Sequence, residues 1–253
     1  MIRRVSAELR HKEHIMSALA LTCRWFKCRS LAEFDDLFLA SFVVRLLENN
    51  VIAKQQDLLT VLRNIFSAIV NWDTSAAIGF QPEDMDEDVL TAHMTAFDVV
   101  FLDSTGYWNI ASGISKDSLL LAKADLSRSI ASLGDPLAFD TLFLEQHNLF
   151  SSFDHYFKVD LISESKEVLL KLPECTIDTV DENDRLLKFV KKLSEVINNC
   201  MDERFENLYI QRLSDVKEQK TSLLLGFRIK RGWTNPLTMG PVATDPTAKG
   251  VLC

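Results

Sequence analysis

The sequence predicts an α+β fold, with a mainly helical first unit that carries a β-hairpin and a partial α/β unit behind it. Three observations predict it. Long stretches before residue 72 place apolar residues at helical spacing. Phe97–Asp103 is a short, nearly continuous apolar run bounded by turn chemistry. Phe205–Leu213 and Ser222–Ile229 alternate as strands do, after a helical pattern.

In chain order, His14–Arg29 holds no Gly or Pro and reads as a helix. Phe34–Leu47 is apolar almost all round, as a helix buried on most sides must be. Gln55–Val70 is amphipathic, with Leu58, Leu59, Leu62, Ile65, Phe66 and Ile69 on one face. Residues 71–95 lose periodicity, collect Pro82 and an acidic run, and are expected to be a loop. Phe97–Asp103 then reads as a buried strand. Ser104-Thr105-Gly106 supplies a reversal in which Gly106 can take a positive φ, and Tyr107–Ala111 returns as the hairpin partner.

A helix follows from Lys116 to Leu133, with Leu119, Ala122, Leu126, Ile130 and Leu133 in phase. Ser115 is its expected N-cap, and Gly134 and Pro136 end it. Phe139–Val159 reads as extended and is rich in Phe, with Phe150 and Phe153 among them. The second unit begins near Asp160. Leu186, Val190, Leu193 and Ile197 mark its helix, and the two alternating strands follow. After Trp233, Asn235-Pro236, Gly240-Pro241 and Asp245-Pro246 indicate a long loop or a unit cut short. No repeat of solenoid period occurs.

With 253 residues, 47% of them hydrophobic and 25% charged, the chain has the composition of a soluble globular protein. A net charge of −8 argues against a surface that simply wraps phosphates. Basic residues nevertheless cluster. Arg3, Arg4, Arg10, Lys12, Arg24, Lys27 and Arg29 lie near the start, and Lys217, Lys220, Arg228, Lys230 and Arg231 near the end. Such patches fit binding within an assembly, or are solvated helix faces and hairpin edges. Five cysteines without paired spacing predict a reducing compartment rather than a disulfide framework. The start of the chain lacks the apolar core of a signal peptide, and no apolar run approaches the roughly 20 residues that span a membrane.

Candidate chemistry is thin. Asp84-Met85-Asp86-Glu87-Asp88 lacks the Gly and Glu that a calcium loop needs in register, so a solvated acidic loop is expected. Asp98 and Asp103 flank a strand as paired metal ligands can, but five residues of strand put them on opposite faces. Asp98 therefore reads as an edge residue and Asp103 as the first residue of the turn. Asp154-His155 suggests an acid–base pair, yet adjacent strand residues diverge, and a structural role is expected. Phe227-Arg228-Ile229-Lys230-Arg231-Gly232-Trp233 could stack on single-stranded RNA, or could be an amphipathic strand with a charged edge. Histidines and cysteines have no zinc spacing, and no phosphate loop, GxSxG elbow or Gly-Ser nucleotidyltransferase opening occurs. No catalytic residue, cofactor or metal site is assigned, and no RNA-contact residue is singled out.

Phe97-Asp98-Val99-Val100-Phe101-Leu102-Asp103-Ser104-Thr105-Gly106-Tyr107-Trp108-Asn109-Ile110 resembles a segment of the nucleolar RNA-associated (Nrap) family. There an apolar strand ends in Asp-Ser/Pro-x-Gly and resumes as aliphatic-Asn-aliphatic. Ala122–Ile130 resembles that family's next helix, and Phe139–Leu144 and Phe153-Asp154-His155 its closing segment. Leu21–Arg29 matches a Trp-centred helix loosely, and Ser222–Pro241 resembles a strand followed by Leu-x-x-Gly-Pro. The resemblance is specific over about 60 residues and otherwise rests on the order of the pieces.

What it implies is a poly(A)-polymerase/oligoadenylate-synthetase-like helical domain over residues 1–159. The truncated start of a nucleotidyltransferase-like domain over 160–253 would follow, the whole being a fragment. It further implies a non-catalytic scaffold in the nucleus and nucleolus, binding pre-ribosomal RNA and small-subunit processome proteins, with no membrane and no small-molecule substrate. A nucleotidyltransferase-related enzyme, or a protein-binding helical module without RNA contact, are the alternatives.

Overall fold

A computed structural model describes residues 2–10, 12–82, 84–147, 153–161, 182–201, 204–215 and 220–232. Four helices open the chain: α1 (Ile2–Leu9), α2 (Glu13–Cys28), α3 (Asp36–Glu48) and α4 (Leu58–Val70). The starts of α3 and α4 are written locally. Asp35 accepts a hydrogen bond from the Phe38 amide at 2.7 Å, and Asp57 accepts one from the Thr60 amide at 3.1 Å. Their apolar stripes meet in one core in which Trp25, Phe26, Phe38, Ile65 and Phe66 are almost wholly buried. Each such side chain contributes about 1.5–3 kcal/mol on burial. Phe38 is the hub, stacked on Trp72 with centroids 5.7 Å apart and edge-on to Phe101 at 5.8 Å.

Residues 71–95 are more than the expected loop. They hold β1 (Ile78–Gly79) and α5 (Glu87–Ala96), with Asp86 as the α5 N-cap. Periodicity missed α5 because none of its residues is buried, so no apolar stripe was selected. β1 pairs in parallel with β2 (Phe101–Leu102), a non-local pairing with no local sign. Gly79 sits at φ +148°, where a Cβ would fall 2.1 Å from the Leu102 carbonyl oxygen. Only glycine permits that approach.

The expected reversal forms, with Gly106 at φ +77°, and the returning chain bonds through Asp103 N to Trp108 O and Ile110 N to Phe101 O. The strands are shorter than expected, and the antiparallel contact is the single bridge Leu102–Asn109. The Asn109 side chain replaces the rest of the ladder: its Oδ1 accepts from the Phe101 and Ala111 amides, and its Nδ2 donates to the Val99 carbonyl.

Helix α6 (Lys116–Ser132) has the expected Ser115 cap, which accepts from the Ser118 amide at 3.1 Å. Phe139–Val159 is only partly extended. A 3-10 turn at Pro136–Ala138 leads into the short helix α7 (Phe139–Phe143). Asp135 caps the turn, and Phe139 packs on Phe143 one helical turn on, so Phe richness here marks a helix rather than a strand. The α7 carbonyls of Leu142 and Phe143 accept from Arg29 and Arg24.

The extended part of that segment is β3 (His155–Leu161), in an antiparallel sheet of order β3-β5-β4 with β4 (Phe205–Asp215) and β5 (Lys220–Ile229). Phe157 and Ile210 both register with Leu225. The expected boundary between residues 159 and 160 lies within β3. Leu208, Ile210, Leu223 and Leu225 face Phe189, Val190, Leu193 and Ile197 of helix α8 (Glu182–Met201). Tyr209 and Gln211 point the other way, into the helical unit. The fold is thus α+β and mainly helical, with a sheet between α8 and the first unit. Phe150, Cys175, Lys217, Trp233 and the proline-containing stretch after it lie outside the described residues.

Candidate functional site

The acidic candidates of the sequence are occupied by structural work. Asp98 accepts from the Lys116 amide at the start of α6 and pairs with Lys191 at 3.2 Å. Asp103 holds the turn, accepting from the Thr105 amide at 3.1 Å and its hydroxyl at 2.7 Å. Asp86 caps α5 through the Asp88 amide, and Glu87 and Asp88 sit in its first turn. The acidic run is therefore a helix start, where the N-terminal dipole favours carboxylates, rather than a loop. Asp154 accepts from the Ile229 amide at 2.7 Å, while His155 is exposed on β3. No acid–base pair forms there. Among the described residues no three metal-ligating side chains converge.

The two basic runs are dispersed. Arg4 pairs with Glu48 and lies over Phe80, Lys27 pairs with Asp36, and Arg29 is buried against Asp125. In the other run, Arg228 reaches Glu206 at 3.7 Å, and Phe227 packs between Phe157 and Phe205.

What the tertiary structure assembles instead is a polar seam between sheet and helices. The Tyr209 hydroxyl donates to Glu33 Oε1 at 3.1 Å, and the Ser118 hydroxyl donates to the same oxygen at 3.2 Å. Glu33 Oε2 is enclosed without a partner. Burial pushes the Glu33 carboxyl above the usual carboxylate range, against which the Tyr209 and Ser118 bonds work. Burial first, and Glu33 second, keep Tyr209 a neutral phenol. Gln211 Nε2 donates to the Ser30 carbonyl at 2.8 Å. Farther along, the Ser194 hydroxyl donates to Asp117 at 3.1 Å, and burial raises the Asp117 carboxyl.

Two clefts flank this seam. One, of about 740 Å³, lies between α5, the start of α6 and α8. The other, of about 500 Å³, lies between α6, α7 and β4 and brings together Arg29, Arg128, Arg228, His147, Phe153 and Tyr209. Phe153 stacks on Tyr209 with centroids 5.7 Å apart and planes 11° off parallel. Its ring lies flat because residue 226 is glycine: a Cβ there would come within 2.6 Å of the ring. Asp125 binds Arg29 on one side and Arg128 on the other, at 3.0 Å. The sequence pointed to Arg228 through its aromatic-basic stretch. It marked Phe153 only as part of a Phe-rich extended stretch and gave no sign of Arg128 or Tyr209, which come from α6 and β4.

The profile of the Nrap protein PAP/OAS-like domain matches residues 14–146, more than half of the chain. Nucleolar protein 6 of Drosophila willistoni is 19% identical over 203 residues, covering 78% of this chain and 17% of that protein. Nucleolar protein 6 of Drosophila mojavensis is 23% identical over 152 residues, covering 58% and 13%. The chain thus spans less than a fifth of the length of these relatives. Their name agrees with the nuclear, nucleolar location expected from the sequence. Helices α2 to α7, with the reversal between them, are the matched region, and on that basis this chain belongs to the Nrap family.

Proposed function

We propose that the chain is a non-catalytic scaffold of ribosome biogenesis that acts in small-subunit pre-rRNA processing and binds pre-ribosomal RNA together with processome proteins. The observation that carries the RNA half is the cleft between α6 and β4. Arg128 and Arg228, both exposed, line it beside half-buried Phe153, whose ring is held flat on the buried Tyr209. Unpaired bases stack on aromatic and guanidinium planes, and arginines meet phosphates bidentately. A protein of net charge −8 needs such a local site, because its overall field repels RNA.

The test is fluorescence anisotropy with an RNA hairpin carrying a single-stranded loop, titrated at several salt concentrations. Binding that weakens steeply with salt, and is lost in an Arg128→Glu/Arg228→Glu variant, supports the reading. Salt-independent binding, or binding indifferent to that variant, overturns it. Magnesium-dependent nucleotide addition to an RNA end would overturn the non-catalytic part.

A further inference from the structure

We propose that the larger cleft, between α5 and α8, docks a basic amphipathic segment of a protein partner. The proposal is independent of the RNA contact and concerns a different face.

Helix α5 presents Val89, Ala92, His93 and Ala96 along one stripe, at successive helical neighbours. Ten residues long and without a single buried one, α5 has no element covering that stripe among the described residues. Across the gap α8 offers Val190 and Ser194, and Phe97, Ile114 and Ile210 form the floor. The floor is apolar and well anchored, with Ile114 and Ile210 buried. A cleft of about 740 Å³ admits several side chains at once.

Both walls are helices, whose backbone groups are bonded within themselves, so an incoming strand finds no edge to extend. The occupant must insert side chains, as an amphipathic helix does in a groove.

Charge selects its sign. Asp88, Asp98, Asp117 and Glu195 line the cleft against Lys116 and Lys191, and Lys191 is held by Asp98. Asp86 and Glu87 stand next to Asp88 at the acidic start of α5. Nucleic acid and acidic peptides are repelled here, whereas a segment with apolar residues on one side and lysines or arginines on the other is matched on both counts.

The experiment uses the full chain and a labelled synthetic leucine–lysine amphipathic peptide of roughly 15 residues. A leucine–glutamate peptide of the same pattern serves as control. We expect the leucine–lysine peptide to bind and the control to bind at least about tenfold more weakly. Ala92→Trp and Ala96→Trp each fill the cleft from an exposed position and should weaken binding about tenfold or more. Thr91→Trp, exposed but outside the cleft, should not. Because both alanines are exposed, circular dichroism melts of these variants should match the parent, and either one suffices if the other misfolds.

Equal binding of the two peptides, or binding indifferent to both cleft-filling variants, overturns the proposal. So does concentration-dependent self-association that Ala92→Trp abolishes, which would make the occupant a second copy. So does displacement of the peptide by the RNA hairpin in the Arg128→Glu/Arg228→Glu background, where the RNA site proposed above is already disabled.

Discussion

Tyr209 on β4 donates its hydroxyl to Glu33, 176 residues earlier in the chain, at 3.1 Å. This bond fixes the sheet against the loop between α2 and α3, with Ser118 of α6 as third partner. It also places a carboxyl whose second oxygen is enclosed and unpaired at the junction.

That carboxyl makes the junction sensitive to pH. Burial, the largest cause, raises the Glu33 pKa above its ordinary 4.5. The folded chain therefore keeps this proton to higher pH than the unfolded chain does. The stability it contributes is fully present below the ordinary value and is lost as pH rises through the raised one. Glu33→Gln retains an acceptor for Tyr209 without the charge. Thermal melts between pH 4 and 8 should show a flatter profile for the variant and a higher Tm than the parent at pH 8. A variant less stable than the parent at pH 8 would mean that the ionised carboxylate is the favoured form. Tyr209→Phe should cost about 1–3 kcal/mol, because it strips a donor from a buried acceptor.

Asn109 is the keystone of the reversal. It is 3% exposed and satisfies two amides and one carbonyl of the segment around it. Asn109→Leu fits the apolar surroundings but orphans all three groups, so a loss of about 3 kcal/mol or more is expected in urea unfolding. A loss under about 1 kcal/mol would show that water or backbone relaxation replaces the side chain.

Arg29 is 4% exposed, donates to the Leu142 carbonyl at 3.0 Å, and covers the Trp25 ring at 4.0 Å. Burial lowers its pKa, and Asp125 opposes that shift. Removing Arg29 strips the buried Leu142 carbonyl and the Trp25 ring of their partner, while Asp125, a quarter exposed, keeps Arg128, so Arg29→Ala should cost about 1–3 kcal/mol. Arg29→Lys should recover only part of it, since an ammonium cannot reach Asp125 and Leu142 while stacking on Trp25. Equal stability of the lysine and arginine forms would assign the position to charge alone.

Cys23 offers a probe of packing near α3. Burial, then the Asp36 charge, push its thiol up to about 12. At pH 8 its thiolate fraction is on the order of 10⁻⁴, and thiolate is the reacting species. Cys200 is exposed. Peptide mapping after iodoacetamide at pH 8 should find Cys200 modified long before Cys23. Equal rates at the two positions would show that the α2–α3 contact opens readily.

Much of the helical unit was legible because its signals are local. Ser115, read as a cap, holds the start of α6 within three residues, and the Leu58–Ile69 stripe has the helical period. The reversal was readable from Gly106 and Asp103, which need only their neighbours. The loop expected over 71–95 differs because α5 buries nothing and β1 finds its partner more than 20 residues away. Phe139–Phe143 read as extended because phenylalanines serve either structure, and Asp135 with Pro136 decided for a helix.

The sequence by itself thus determined the fold class and the helices α2, α3, α4, α6 and α8 through short-range chemistry of caps, turns and apolar periods, while the family came from the resemblance of Phe97–Val159. It also read Asp98 as an edge residue and Asp103 as the first residue of the turn, because five residues of strand put them on opposite faces. Only the tertiary structure decided which surfaces face each other. The Tyr209–Glu33 bond, the Arg29–Asp125 pair and the two clefts join residues tens to nearly two hundred positions apart. Such contacts are selected by packing across the whole core, and no residue in them carries a local mark of its distant partner.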